Sequence, residues 1–199
     1  SAWVNIVADD QHLGLPGARL VDQAAGINEL VTDRRGATTP NAFADKTGAG
    51  VVLGVSRKIG DSVEVIVDGN LRRKEQKAFS SLFGFDTSDA RELTTAAITP
   101  RAIIDTRIAG MPTKVIAGFD YYNSKLEAKR SVTLNDPPIH TYNLQQQATA
   151  AYAQQTLAVL PTTDLSWGGR LEQMQLNAHD TFDPAAPGAF PFFDAAAIS

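Results

Sequence analysis

Apolar and polar residues alternate with period two along much of this chain. In "LSWGGRLEQMQL", Leu165, Trp167 and Leu171 fall on one side of an extended backbone and Ser166, Arg170 and Glu172 on the other. In "SVEVIVDGNLRRK", Val63, Val65, Val67 and Leu71 share a face with Gly69, while Glu64, Asp68, Asn70 and Arg72 share the other with Ile66. "KVIAGFDYY" sets Val115, Ala117, Phe119 and Tyr121 against Lys114, Gly118 and Asp120. "VVLGVSRKI" sets Val51, Leu53 and Val55 against Gly54 and Ser56. "ELTTAAITPRAII" alternates less cleanly, and its Pro100 lacks a ladder donor, which predicts an edge or a bulge there. Together with "AWVNIVA", these runs predict strands near 2–8, 49–59, 62–74, 93–105, 112–123, 140–158 and 164–177.

The breaks between the runs sharpen the picture. Short turns, "GDS", "TRIAGMP" and "LPTTD", alternate with long polar or Gly/Pro-rich stretches near 10–48, 75–92, 124–138 and 178–199. Long loops at one end and short turns at the other predict an all-β, antiparallel up-and-down meander of about seven strands, the pattern of an outer-membrane barrel. Seven such strands leave two open edges, so the chain is expected to be part of a larger transmembrane β-barrel. Two segments compete with this reading. "GARLVDQAAGINELVTD" has apolar residues at nearly helical spacing and predicts a short helix in the first loop. Residues 144–160 are rich in helix formers, yet as a strand they group Leu144, Ala148, Ala150 and Tyr152, and the choice stays open.

Composition removes several alternatives. Among 199 residues, 18 Lys and Arg nearly balance 22 Asp and Glu, so no basic footprint for nucleic acid is present. The absence of cysteine excludes disulfides, thiolate catalysis and sulfur-ligated metals. No window approaches the roughly 20 apolar residues of a membrane helix, whereas barrel strands need only about ten alternating residues.

Little catalytic chemistry is visible. His12, His140 and His179 fall in or beside expected loops, and no G-x-S-x-G elbow accompanies them. "GAGVVLG" precedes a strand, where a phosphate loop would follow one. "HDTFD" (His179, Asp180, Asp183) and "DDQH" (Asp9, Asp10, His12) lack a metal-defining spacing and read as solvated loop residues. No metal and no cofactor is expected, and no enzymatic activity. Phe79, Phe83 and Phe85, with Phe190, Phe192 and Phe193, either clamp a ligand or pack loops together.

The order of "LGLPGARLVD", "INELVTDRRGATTP", "IAGFDYYNS", "DPPIHTYNL" and "AVLPTTDLSWGGRLE" resembles the barrel portion of TonB-dependent outer-membrane receptors, over most of the chain up to "HDTFDPAAPG". The resemblance implies a plugged barrel of roughly 22 strands in the outer membrane of a Gram-negative bacterium. It also implies import of a scarce solute such as a ferric siderophore, haem or cobalamin. Its partners would be the TonB system, a plug domain, a small-molecule or metal-chelate ligand and outer-membrane lipid. No plug or TonB-contacting segment is recognisable in these residues, which read as a fragment of the whole. A charge facing lipid at midplane costs ~2–4 kcal/mol, which fixes the parity. Glu64, Asp68, Asn70, Arg72, Asp120, Arg170 and Glu172 are expected to face the lumen. Val63, Val65, Val67, Val115, Phe119, Leu165, Trp167 and Leu171 are expected to face lipid, with Trp167 near the periplasmic interface. Arg34 and Arg35 in "TDRRG" are candidate ligand-contacting loop residues, because guanidinium forks match anionic chelates. Two rivals remain: a soluble all-β sandwich with a binding or structural role, and an outer-membrane barrel enzyme, which lacks its Ser and His arrangement.

Overall fold

A computed structural model of the protein describes residues 1–82 and 85–190. Phe83, Phe192 and Phe193 of the aromatic runs lie outside the described residues, as does the end of the 178–199 stretch.

The long strands are β1 (Ala2–Gly14), β4 (Phe43–Ile59), β5 (Val63–Leu82), β6 (Phe85–Ile108), β7 (Met111–Ser131), β8 (His140–Leu160) and β9 (Thr163–Phe182). They form one antiparallel seven-stranded sheet in the order β1-β4-β5-β6-β7-β8-β9, an uninterrupted meander. Between β1 and β4 lie the paired short strands β2 (Val21–Asp22) and β3 (Ile27–Asn28) and a single helical turn, α1 (Glu29–Thr32).

No second layer covers this sheet among the described residues, and no large side chain there is fully buried. The accessible surface is 13836 Å², against about 9,100 Å² for a compact globular chain of this mass. The sandwich alternative fails on this point: a soluble sandwich hides an apolar face of each sheet against the other, and here both faces are open.

The strands are longer than the alternation indicated. β5 and β6 stay paired to Leu82 and Phe85, so the stretch 75–92 is a strand hairpin rather than a loop. β7 likewise continues to Ser131, and the break falls at the Asn135, Asp136 and Pro137 cluster. Polar residues on both faces had suggested loop, but the charges pair across the ladder: Arg73 reaches Glu92 at 2.9 Å and its neighbour Glu75 at 2.9 Å. Residues 144–160 are strand, because β8 is a central strand paired along its length with β7 and β9, and tertiary pairing overrides helix propensity.

The helix expected within 17–33 shrinks to one turn. The Asp22 carboxylate accepts from the backbone N–H groups of Ala24 and Ala25 at 3.0 and 3.1 Å, and Gly26 sits at φ 67°, so a turn forms where the helix would nucleate. Pro100 is neither at an edge nor at a bulge. It lies in central β6, where the ladder to β7 is interrupted at Thr99 and Pro100 while pairing to β5 persists.

The three short turns, at 60–62, 109–110 and 161–162, lie at one end of the sheet. In the tightest, Ala109 and Gly110 have φ of 51° and 82°, the two left-handed positions of a hairpin turn that matches the sheet's twist. Gly110→Val is expected to destabilise the full-length protein by about 1–2 kcal/mol through its left-handed backbone. Gly69→Ala, whose added Cβ meets only an ordinary 3.6 Å contact, is expected to change it by less than about 0.5 kcal/mol. Urea unfolding of both variants measures the difference.

Candidate functional surface

Directly paired residues on antiparallel neighbours point to the same side of a sheet, so the register alone sorts the residues into two faces. Val63, Val65, Val67, Val115, Phe119, Leu165, Trp167 and Leu171 all fall on one face. Glu64, Asp68, Asn70, Arg72, Asp120, Arg170 and Glu172 all fall on the other.

The first face is banded. Beside the short turns it is apolar: Val51, Leu53 and Val55 on β4, Val63 to Leu71 on β5, Ala96, Ile98 and Ile104 on β6, Val115 to Tyr121 on β7. Two residues near the turns depart from this: Arg57, exposed where a long side chain can snorkel, and Gln155 on β8, in the row between Val115 and Trp167. Val63 to Leu71 is about the 9–11 residues a tilted strand needs to cross a bilayer. Farther along the same strands the face becomes charged and polar, with Arg73, Glu75 and Lys77 on β5 and Lys125, Glu127 and Lys129 on β7. The strands, of 20 to 24 residues from β5 to β9, are about twice what one crossing requires.

The second face is held by ion pairs that bridge strands. Arg101 Nη1 donates to Asp68 Oδ2 at 2.6 Å, joining β6 to β5. Arg170 Nη1 on β9 donates to Asp120 Oδ2 on β7 at 2.5 Å, and its Nε donates to Glu172 at 3.0 Å. This reach passes over β8, and the register shows why it is open: Asp120, Ala150 and Glu172 form one row, and Ala150 adds only a methyl group between the charges. In the adjacent row, Gly118 leaves space for the Tyr152 ring, and the Arg170 guanidinium lies 5.9 Å from that ring's centroid. Asp120 is 7% exposed, a carboxylate kept from water by this arrangement. Trp3 fills the space over Gly54 in the same way at the β1 edge.

Glu64, Asn70 and Arg72 share this face without an ion pair among the described residues. The face is not uniformly polar, since Ile66, Ile103 and Ile116 also lie on it. Sequence reasoning missed Arg101 and Tyr152. The signal for Arg101 was the alternation of Ile98, Pro100, Ala102 and Ile104, which puts Arg101 opposite them; the signal for Tyr152 was Gly118, an unexplained gap on the neighbouring strand.

The remaining candidates separate. His12 pairs with Asp45, and His140 Nδ1 lies 2.9 Å from Asp180, with its ring stacked 5.4 Å from Tyr142 and tilted against Phe182 at 5.1 Å. Asp183 accepts from the Ala185 N–H, and His179 lies on the opposite face from Asp180. Neither "HDTFD" nor "DDQH" therefore gathers its side chains, and no cluster of three metal-binding side chains occurs among the described residues. Arg34 and Arg35 are exposed in the first loop and carry no ion pair among the described residues. The loop instead turns Arg19 inward, where it donates to the backbone carbonyls of Glu29 at 3.1 Å and Asp33 at 2.6 Å.

No family model matches the sequence, and no curated protein matches it. Among solved structures, the chain is similar to the ferric citrate transporter FecA in its unliganded form, with TM-score 0.75 and 16% identity over 90% of this chain and 28% of that one. It is also similar to the ferric yersiniabactin uptake receptor FyuA from Yersinia pestis, with TM-score 0.56 and 11% identity over 75% of this chain and 24% of that one. The chain thus spans about a quarter of the length of the structures it matches. Its fold is that of a segment of outer-membrane β-barrel wall, as the sequence resemblance implied.

Gly118→Val is expected to displace the Tyr152 ring and cost about 1–3 kcal/mol by overpacking. Tyr152→Ala combined with Gly118→Val is expected to recover part of that loss, as read from urea midpoints of the two variants.

Proposed function

We propose that the chain is part of the wall of a receptor barrel in the outer membrane of a Gram-negative bacterium, importing a metal chelate or a comparable scarce solute. One observation carries the reading: an apolar belt of bilayer height on one face of a sheet whose opposite face is bridged by ion pairs. A belt of that height fits hydrocarbon, and the ion-paired face fits a water-filled or plugged lumen. In this orientation the short turns are periplasmic and Trp167, near the turn at 161–162, sits at the periplasmic interface. The edges β1 and β9 pair with further strands of the wall. Asp68 Oδ1 is buried with no hydrogen-bond partner among the described residues, an acceptor available to an element filling the lumen, such as a plug domain. Energy would come from the TonB system, consistent with what FecA and FyuA are named for, the uptake of ferric citrate and ferric yersiniabactin. The exposed pair Arg34 and Arg35 would draw an anionic chelate to the first external loop.

Trp167→Lys in the full-length receptor is expected to lower the amount of assembled barrel in native membranes, whereas Arg170→Leu leaves insertion intact and loosens the interior. Equal tolerance of both in a heat-modifiability assay would overturn the parity. Replacing Arg34 and Arg35 with Ala is expected to weaken capture of ferric citrate, used as an anionic probe, by about tenfold in titrations of the whole receptor. Unchanged affinity would remove these residues from the ligand path.

A further inference from the structure

At the end of the sheet opposite the short turns, the segment that follows β9 does not run free. It folds back over the start of β8 and lands on the loop that follows β7. Ile139, the residue before β8, is the junction. Its N–H donates to the Arg130 carbonyl at 2.7 Å, and its own carbonyl accepts from the Asp183 N–H at 2.9 Å. Farther along, Gly188 lies so close to Val132 that an added Cβ would run into that side chain, with Ile139 Cδ1 3.8 Å away. Ile139, His140 and Ala186 are buried at this crossing, in a sheet that otherwise buries little.

Both partners in this contact are shaped by their own sequences. In 132–139 the Thr133 N–H donates to Asp136 Oδ2 at 3.1 Å and the Asp136 N–H reaches back to the Thr133 carbonyl at 3.4 Å. Ser131 Oγ donates to the same carbonyl at 2.7 Å, and Pro137 and Pro138 restrict the approach to Ile139. In 183–189 Asp183 Oδ1 accepts from the Ala185 N–H at 2.9 Å. Two further turns close from the Ala186 N–H to the Asp183 carbonyl at 3.2 Å and from the Ala189 N–H to the Ala186 carbonyl at 3.1 Å, with Pro184 and Pro187 among them. Gly188, at φ 78°, supplies the left-handed residue that brings this segment onto Val132. Prolines leave each segment less freedom to lose when the two are held together. Toward β6 the packing stops: a cleft of about 380 Å³ lies there, lined by Val132 and Ile139 on one side and Asp86 and Thr87 on the other.

We infer that the loop 132–139 and the segment 183–189 are latched into one body, which moves or holds still as a unit and independently of the β5–β6 end of the sheet. Val132 against Gly188 is the catch, and Ile139 is the hub that ties it to β7 and β9. A ligand that drew in one of these two connections would therefore draw in the other. That the latch stands at the external mouth rests on the proposed orientation; the latch itself does not depend on which face meets lipid.

The test is amide hydrogen exchange in the full-length receptor in nanodiscs, read in peptides spanning 132–139, 183–189 and, as the control across the cleft, 86–91. Gly188→Ala, which sets a methyl group against Val132, is expected to speed exchange in 132–139 and 183–189 alike, by about tenfold or more, and to leave 86–91 unchanged. Acceleration confined to 183–189 would overturn the latch, and acceleration spreading to 86–91 would overturn its independence from β6. Adding Val132→Ala clears the obstructing methyl and is expected to restore part of the protection in both segments. No recovery would assign the effect to the left-handed backbone of residue 188 and remove the contact from the argument. A second pair of variants leaves the packing in place. The Cβ position at Gly188 lies 3.7 Å from Val132 Cβ, inside the span of about 3.5–4.5 Å that a disulfide needs. Val132→Cys with Gly188→Cys is expected to cross-link on mild oxidation about tenfold faster than Val132→Cys with Thr87→Cys, which has to bridge the cleft; equal rates would overturn the latch. A nitroxide at Phe119→Cys reports separately on orientation. If it is shielded from lipid-dissolved oxygen, the external placement fails while the exchange and cross-linking results still decide the latch.

Discussion

A chain that crosses hydrocarbon has no water to satisfy its peptide groups, so each N–H and C=O must find its partner within the protein. In this sheet the antiparallel ladder meets that demand strand by strand, from β1 through β9. Because the ladder fixes register and register fixes side-chain direction, the same constraint separates the Val, Leu and Phe residues from the carboxylates and guanidinium groups. The interruption at Thr99 and Pro100 is a local lapse of the ladder next to Asp120. Asp120 is engaged from its other side, where Arg170 on β9 reaches across β8 to that carboxylate.

Small residues make this possible. Ala150 and Gly118 contribute almost nothing to an apolar core, yet without their small size Arg170 would not reach Asp120 and Tyr152 would not lie flat over the neighbouring strand. Glycine within a strand weakens it, and an aromatic ring laid over the gap restores the lost packing. Trp3 over Gly54 repeats the device at the edge of the sheet.

The sheet and its two faces were legible in the sequence because period-two alternation reports directly on a half-exposed strand. Val63, Val65 and Val67 against Glu64 and Asp68 needed no further information. Strand length was not legible. Beyond Leu71 both faces of β5 are polar, so the alternation vanishes while the pairing continues, and a wetted strand reads as a loop. The absence of proline, with glycine only at Gly84, across 75–92 was the signal against a loop. Arg19 was hidden for a different reason: it anchors the first loop through backbone carbonyls, and such contacts leave no pattern in a sequence. Arg101 and Tyr152 were readable only through their neighbours Pro100 and Gly118.

The length of the strands beyond the belt has an electrostatic consequence. In the proposed orientation, β5 from Leu71 to Leu82 extends roughly 28 Å above the hydrocarbon if it is tilted by about 40°. At physiological ionic strength the screening length is about 8 Å, so the potential of the lipid surface falls to a few per cent over that distance. In the proposed orientation, a ligand approaching the far end of the barrel meets the loops' own charges, with the membrane's field already extinguished. The projecting half of the sheet then acts as an insulating collar, letting a few loop side chains set the attraction independently of the membrane in which the barrel stands.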